Sequence, residues 1–362
     1  MTRLALLAAG GTGGHLFPAE ALAAELTARG WIIDLATDER VDRYGLNFPA
    51  RERHIIAAET FRSKNPIAIA KTALALARGV SQARRAILQT KPSIVVGFGG
   101  YPSFPPLVAA KLTGTPSILH EANAIMGRAN RSLSGLVDAV ATSWEDTRHV
   151  GGAIKAKATH VGMPVRPAVR AAAITPYPEF KGRLKVLVFG GSQGARVFAD
   201  VAPPAFALLP DALRAKLDVT QQARPEDQAR ARAAYNAAGI AAEVAPFFPD
   251  LPARMAASHL VLSRSGGSTV AELGVVGRPA ILIPLPGAID ADQLLNARAF
   301  EAAGAGVLAQ QLDVTPRSLA EILGALLSDH KRLETMASTA RSLGKPDAAS
   351  RLADLVEATA SA

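Results

Sequence analysis

The stretch LALLAAGGTGGH, Leu4 to His15, is an apolar run that passes without a break into a glycine-rich turn. A continuous apolar run suits a strand buried on both faces, and glycines directly after it allow a tight turn into a helix. The pattern returns at Leu184–Ala195 as LKVLVFGGSQGA. Both segments read as strand, Gly-Gly-hydroxyl, helix. A helix is expected from about Pro18 to Gly30, with Leu22 and Leu26 on one face. Further apolar runs at Ile32–Ala36, Ile94–Gly97, Ser117–Leu119 and Ala139–Thr142 alternate with helical patterns. After Leu184–Phe189 come Val219–Gln221, Glu243–Ala245, Leu260–Leu262 and Ala280–Ile283. Such alternation predicts α/β architecture with parallel sheets covered by helices. The repeat predicts two similar domains facing each other across a cleft. The linker is expected at Val161–Pro167 (VGMPVRP), where two prolines and a glycine interrupt the pattern. The domains are therefore placed at 1–163 and 164–344, with a helix over 345–362 packing back on the first.

Composition narrows the function classes. The 362 residues carry 40 Lys+Arg against 31 Asp+Glu, a net charge of +9, which favours an anionic partner. Aromatic residues are only 5%, which argues against base stacking, so no nucleic-acid partner is expected. The chain has no cysteine, which excludes disulfides and thiol catalysis, and its seven histidines are scattered. No metal and no cofactor is expected. Leu4–Ala9 is too short for the apolar core of a signal peptide, and no window reaches a membrane span.

Five constellations carry potential chemistry. Gly10–His15 offers backbone amides to a phosphate, and His15 brings an imidazole, the side chain whose ordinary range suits a general base. It is neither a Walker A loop nor a complete dinucleotide fingerprint, and a turn needed only for packing is the alternative. Ser192, within Gly190–Gly194, reads equally as a phosphate grip or a structural turn. Arg264–Glu272 (RSGGSTVAE) opens a helix with amides suited to a diphosphate, and Glu272 lies where it could accept ribose hydroxyls. A capped helix with an acidic residue near its N-terminus is the plain alternative. Gly99-Gly100-Tyr101 and His120-Glu121-Ala122-Asn123 follow first-domain strands. Phe61–Arg85 sets Arg62, Lys64, Lys71, Arg78, Arg84 and Arg85 among Ile67, Ile69, Leu74 and Leu76. It reads as a membrane-surface segment or as an ordinary solvated helix.

Taken together, GGTGGH (10–15), GFGGYPS (97–103), HEANA (120–124), PVR (164–166), GGSQGA (190–195), SRSGGSTVAEL (263–273) and DQLLNA (292–297) resemble one family over nearly the whole chain. It is the MurG family of UDP-N-acetylglucosamine–N-acetylmuramyl-(pentapeptide) pyrophosphoryl-undecaprenol N-acetylglucosaminyltransferases. The resemblance implies a GT-B fold and an inverting transferase of peptidoglycan synthesis at the cytoplasmic face of the inner membrane. Its donor would be UDP-GlcNAc, its acceptor lipid I and its product lipid II, and its membrane contact an anionic surface. By matching position, Thr12, Gly13 and Gly14 would line the sugar-diphosphate site and Asn123 would contact the sugar. Arg166 and Ser192 would lie near the phosphates, and the backbone of Phe248 would read uracil. Gly267, Ser268, Thr269, Val270, Ala271 and Glu272 would hold diphosphate and ribose, Gln293 would read sugar hydroxyls, and His15 would be the base. Ala122, Met163 and Asp292 depart from the family pattern. Ala122 and Met163 each lack an amide that could bond in the site, and an unpaired buried partner costs about 1–3 kcal/mol. The competing readings are another GT-B transferase, a UDP-sugar epimerase, a non-catalytic relative and, least favoured by the broken fingerprint, a dehydrogenase.

Overall fold

The structure, a computed structural model, describes residues 3–39, 48–59, 65–191, 194–288 and 290–361. It divides into two compact units, Met1–Arg166 with Pro346–Ala362, and Pro167–Lys345.

The first unit is built on seven parallel strands: β1 (Leu4–Ala8), β2 (Ile32–Thr37), β3 (Glu52–Ile55), β4 (Ile94–Gly97), β5 (Ser117–Glu121), β6 (Ala139–Thr142) and β7 (Ala158–His160). Their order is β3-β2-β1-β4-β5-β6-β7. β1 is buried along its whole length, and its side chains alternate between two cores. Ala5 and Leu7 pack with Leu16, Leu22 and Leu26 of the helix Gly13–Ala28, and with Leu352 and Val356 of the C-terminal helix. Leu6 and Ala8 point the other way, toward Ala83, Ile87 and Leu107. This period-two division explains why the strand is apolar throughout.

The second unit carries β8 (Leu184–Phe189), β9 (Leu217–Gln222), β10 (Ala241–Ala245), β11 (Leu260–Ser263), β12 (Ala280–Leu282) and β13 (Gly306–Leu308), ordered β10-β9-β8-β11-β12-β13 and parallel throughout. Its core joins Val186 and Val188 to Phe198, Ala202 and Phe206 on one helix and Leu319 and Leu323 on another. Each sheet reverses direction of winding once, between β1 and β4 and between β8 and β11. Open α/β sheets bind ligands beyond the carboxyl ends of the strands at such switch points.

Three details differ from the expectations. The first helix begins at Gly13, five residues before Pro18, so His15 lies in its first turn. The strands β3, β7 and β13 were not anticipated; all three are at sheet edges. In the helix Pro66–Thr90, Leu76 faces the core, whereas Ile67, Ile69 and Leu74 are exposed. Among the described residues, no helix is long and apolar enough to cross a membrane.

Candidate active site

The candidate side chains lie beyond the carboxyl ends of the strands, most of them around the switch point of each unit. On the first unit, β1, β4 and β5 are neighbours and release the loops Gly10–Thr12, Gly99–Tyr101 and Ala122–Asn123 at the same edge. His15 Nδ1 lies 3.3 Å from the Gly10 carbonyl and 3.4 Å from Thr12 Oγ1. A carbonyl only accepts, so this contact assigns the proton to Nδ1 and leaves the lone pair on Nε2. Gly100 makes room for the ring. A Cβ there would stand 2.8 Å from His15 Cε1, and its φ of 70° belongs to the left-handed region. Ser103 Oγ ties the ends of two loops, lying 2.9 Å from both Ala8 O and Gly99 O.

Glu121 organises the third loop. Oε1 accepts from Asn123 N (2.9 Å) and Asn123 Nδ2 (3.3 Å), and Oε2 accepts from Gly127 N (3.1 Å) and Asn130 Nδ2 (2.6 Å). Burial pushes this carboxyl above its usual range, and the four donors pull it back. His120 is fully buried, with Nε2 3.2 Å from Ser143 Oγ. Desolvation first, and the nearby His15 ring second, lower its pKa to about 4, against an opposing pull from the Gly162 carbonyl. It is therefore neutral at physiological pH. Sequence reading named Asn123 but not the clamp that positions it. The signal was an acidic residue closing an apolar strand, whose burial only the fold reveals.

On the second unit, β8 leads into Gly190 and Gly191 and β11 into Arg264–Gly266, and the two strands are neighbours. The helix Gly267–Val276 starts there with Gly267, Ser268 and Thr269 half-buried at its N-terminus. Val270 and Glu272 are buried and Ala271 half-buried. Ser265 Oγ donates to Gln293 O (2.8 Å), and Asn296 Nδ2 donates to Ser265 O (3.1 Å). Gln293 Oε1 accepts from Leu285 N at 2.9 Å, which turns its NH2 into the end available to a ligand. Phe248 is buried beneath Arg254, its carbonyl accepting from Leu251 N at 3.3 Å, while Phe247 is 67% exposed. Gln222 went unrecognised in the sequence. Its Oε1 accepts from Gly190 N (3.1 Å) and its Nε2 donates to Pro246 O (3.2 Å), so it joins the loops after β8 and β10.

Two sequence candidates need restating. Ser192 lies outside the described residues. Arg166, assigned above to the second domain, falls in the first unit, its guanidinium 4.0 Å over the Phe17 ring and near Glu20. Stacking on the first helix holds it there. The departures from the family pattern have local explanations. Met163 is buried, and its sulfur takes the Ser143 hydroxyl at 3.3 Å. Ala122 is buried as well. Asp292 opens the helix Asp292–Ala302, where a negative charge is favoured by the helix dipole.

Asp34, Glu52 and His54 form the cluster nearest to a metal-ligand set among the described residues, yet Arg51 already bonds both oxygens of Asp34, at 3.0 and 2.6 Å. A cavity of about 680 Å³ lined by Glu301, Gly306 and Asp329 opens where β13 begins, at the sheet edge opposite the switch-point loops.

Comparison with known proteins agrees with this geometry. Residues 5–142 match the glycosyltransferase family 28 N-terminal domain, and residues 185–352 match its C-terminal domain. The chain is 54% identical over 360 residues to the UDP-N-acetylglucosamine–N-acetylmuramyl-(pentapeptide) pyrophosphoryl-undecaprenol N-acetylglucosamine transferase of Mesorhizobium japonicum, covering 98% of this chain and 95% of that one. It is 52% identical over 358 residues to the Brucella canis protein of the same name, covering 98% and 94%. The crystal structure of Acinetobacter baumannii MurG matches with a TM-score of 0.80 at 27% identity, over 98% of this chain and 99% of that one. UDP-GlcNAc 2-epimerase from Neisseria meningitidis, at 15% identity and a TM-score of 0.68 over 99% of each chain, shares the fold alone. By these matches over both of its units, the chain belongs to glycosyltransferase family 28 and, within it, to the UDP-N-acetylglucosamine–N-acetylmuramyl-(pentapeptide) pyrophosphoryl-undecaprenol N-acetylglucosamine transferases.

Proposed function

We propose that this protein transfers N-acetylglucosamine from UDP-GlcNAc to the C4 hydroxyl of the N-acetylmuramyl sugar in lipid I, giving lipid II with inversion. The observation that carries the reading is 54% identity across 98% of the chain to a transferase of that name. The switch-point loops supply chemistry that suits it.

The donor would sit on the second unit. The diphosphate meets the amides at the start of the helix Gly267–Val276, where the helix dipole favours negative charge. Glu272 accepts the ribose hydroxyls, Gln293 donates to the sugar, and the backbone at Phe248 reads uracil. On the first unit, Thr12, Gly13 and Gly14 face the sugar-diphosphate, and Asn123, clamped by Glu121, meets the sugar. Ser192 and Arg166 add to the phosphate contacts in this reading. His15 Nε2 takes the proton from the acceptor O4 as that oxygen bonds to the anomeric carbon. The bond from that carbon to the β-phosphate oxygen breaks, and its electron pair leaves on UDP. Preorganised amides facing the diphosphate lower the barrier because that charge grows in the transition state.

The acceptor's lipid tail requires a membrane surface. In the helix Pro66–Thr90, Ile67, Lys71, Leu74, Arg78 and Arg85 recur at helical spacing along one exposed stripe, Ile67 and Leu74 being 68% and 72% exposed. Apolar residues that enter the acyl boundary, flanked by cations for anionic headgroups, suit peripheral binding at the cytoplasmic face of the inner membrane.

The test is UDP release from UDP-GlcNAc with and without a short-chain lipid I analogue. Acceptor-dependent release with a disaccharide product by mass spectrometry is expected. Donor binding with no acceptor-dependent release would point to a different acceptor or a non-catalytic relative.

A further inference from the structure

The leaving group of the proposed reaction is a nucleoside diphosphate, whose charge calls for a cation beside the amides that receive it. The second unit's arginines near the switch point are mostly committed elsewhere. Arg264, in the loop after β11, donates to the carbonyls of Ile283 and Pro284 at 3.0 and 3.1 Å and is buried. Arg196 pairs with Asp200 at 3.3 Å, and Arg230 with Asp227 at 2.7 Å.

Arg224 differs. It follows β9 by two residues, at the carboxyl edge of the sheet next to β8, and precedes the helix Pro225–Ala237. Its side chain lies over the glycine turn. A Cβ built on Gly194 would stand 3.1 Å from Arg224 Cγ and 3.9 Å from its Nε. Gly194 has φ of 64°, and its N–H closes the turn on Gly191 O at 3.0 Å. Nε is buried without a hydrogen-bond partner, and among the described residues the guanidinium makes no ion pair. Two residues before it, Gln222 ties Gly190 to Pro246. A partly buried guanidinium left unpaired is costly, and a phosphate is the planar fork's natural complement.

The geometry points to Arg224 as a donor-binding residue of this protein, its guanidinium bonding the diphosphate of the bound nucleotide beside Gly194. The inference rests on the proposed use of a nucleoside diphosphate sugar. Arg224 binds the donor without moving protons, so its loss acts on donor affinity far more than on turnover.

The experiment compares wild type, Arg224→Gln and Arg224→Lys by calorimetric binding of UDP and of uridine, with steady-state kinetics on UDP-GlcNAc and thermal melts. In Arg224→Gln the UDP dissociation constant rises about tenfold, uridine affinity stays within about twofold, and the donor KM rises with UDP affinity while kcat changes little. Arg224→Lys, which keeps the charge without the fork, falls between. UDP affinity within about twofold of wild type in Arg224→Gln overturns the assignment. Equal losses for UDP and uridine, or a lowered melting temperature that accounts for the loss, also overturn it, since the residue then shapes the base pocket or the fold. A wild-type protein that binds neither UDP nor UDP-GlcNAc overturns both this inference and the transferase reading. Normal wild-type binding with an unaffected variant removes Arg224 alone.

Discussion

His15 and Glu272 stand on different units and are assigned different work in the proposed reaction, which their variants should separate. His15 is oriented through Nδ1 by the Gly10 carbonyl, and only its Nε2 suits a proton transfer. His15→Ala should keep UDP-GlcNAc affinity within about twofold and lower kcat by roughly 100- to 10,000-fold, the usual range for a general base. Turnover near wild type would remove His15 as the base. Glu272→Ala should raise the donor KM by roughly 10- to 100-fold with a smaller effect on kcat, because hydrogen bonds to a buried charge contribute about 1.5–3 kcal/mol. An unchanged KM would sink the ribose assignment. Both residues were legible in the sequence, since each follows a strand and a run of small residues. The residues that hold the site in place were not. Gln222 joins loops distant in sequence, Glu121 clamps the loop that follows it, and an acidic or amide side chain ending a strand has no local signature of that role.

At the scale of elements, the C-terminal helix Ala348–Ala360 belongs to the first unit because it buries Leu352, Ala353 and Val356 against the core around β1. Arg29 reinforces the junction, donating to Glu25, Asp354, Glu357 and Ser350 at 2.6 to 3.2 Å. Trp31 Nε1 adds a bond to Glu357 at 3.1 Å. Arg29→Ala should cost roughly 1–2 kcal/mol, because the network is partly buried and shares one guanidinium among three carboxylates. A melting temperature lowered by about 2–8 °C would follow, and a change under 1 °C would mean that the apolar face alone docks the helix. The helix Pro66–Thr90 is tested by replacing Lys71, Arg78 and Arg85 with Gln. At about 1 kcal/mol per cation near an anionic surface, vesicle binding should weaken by roughly 100-fold at low salt and lose most of its salt dependence. Equal binding by the variant would return the stripe to an ordinary solvated face.

For the whole molecule, buried histidines set the response to acid. His120 has its pKa lowered to about 4 by burial, whereas the unfolded chain titrates near 6.5. Between those values the unfolded state binds the extra proton, so stability is complete above about pH 6.5 and falls as the pH drops toward 4. The loss from His120 alone is about 2 kcal/mol at pH 5 and about 3 kcal/mol below pH 4. His259, lowered by burial in the second unit, acts in the same direction. Denaturant titrations at pH 7.5 and 5.0 should show this loss, and His120→Gln should show less of it. An identical pH dependence in the variant would refute the account.

The amino-acid sequence by itself determined the two parallel sheets, because a strand buried on both faces must be apolar along its length, as β1 and β4 are throughout and β8 and β11 are apart from the exposed Lys185 and the terminal Ser263. It also determined the glycine-rich turns after β1 and β8, where small residues leave room for backbone, ligand or a neighbouring ring. Tertiary structure decided the rest. The edge strands β3, β7 and β13 carry polar or half-exposed residues, since one side of an edge strand is unpaired and its faces need not both be covered. The helix Gly13–Ala28 starts on two glycines of poor intrinsic propensity because burying Leu16, Leu22 and Leu26 outweighs that weak local preference. Arg166 belongs with the first unit through the Phe17 ring, a contact between residues far apart in the chain. The bond from Gly190 to Gln222 and the commitment of Arg264 arise the same way: a side chain's partners depend on which loops the sheet order brings together.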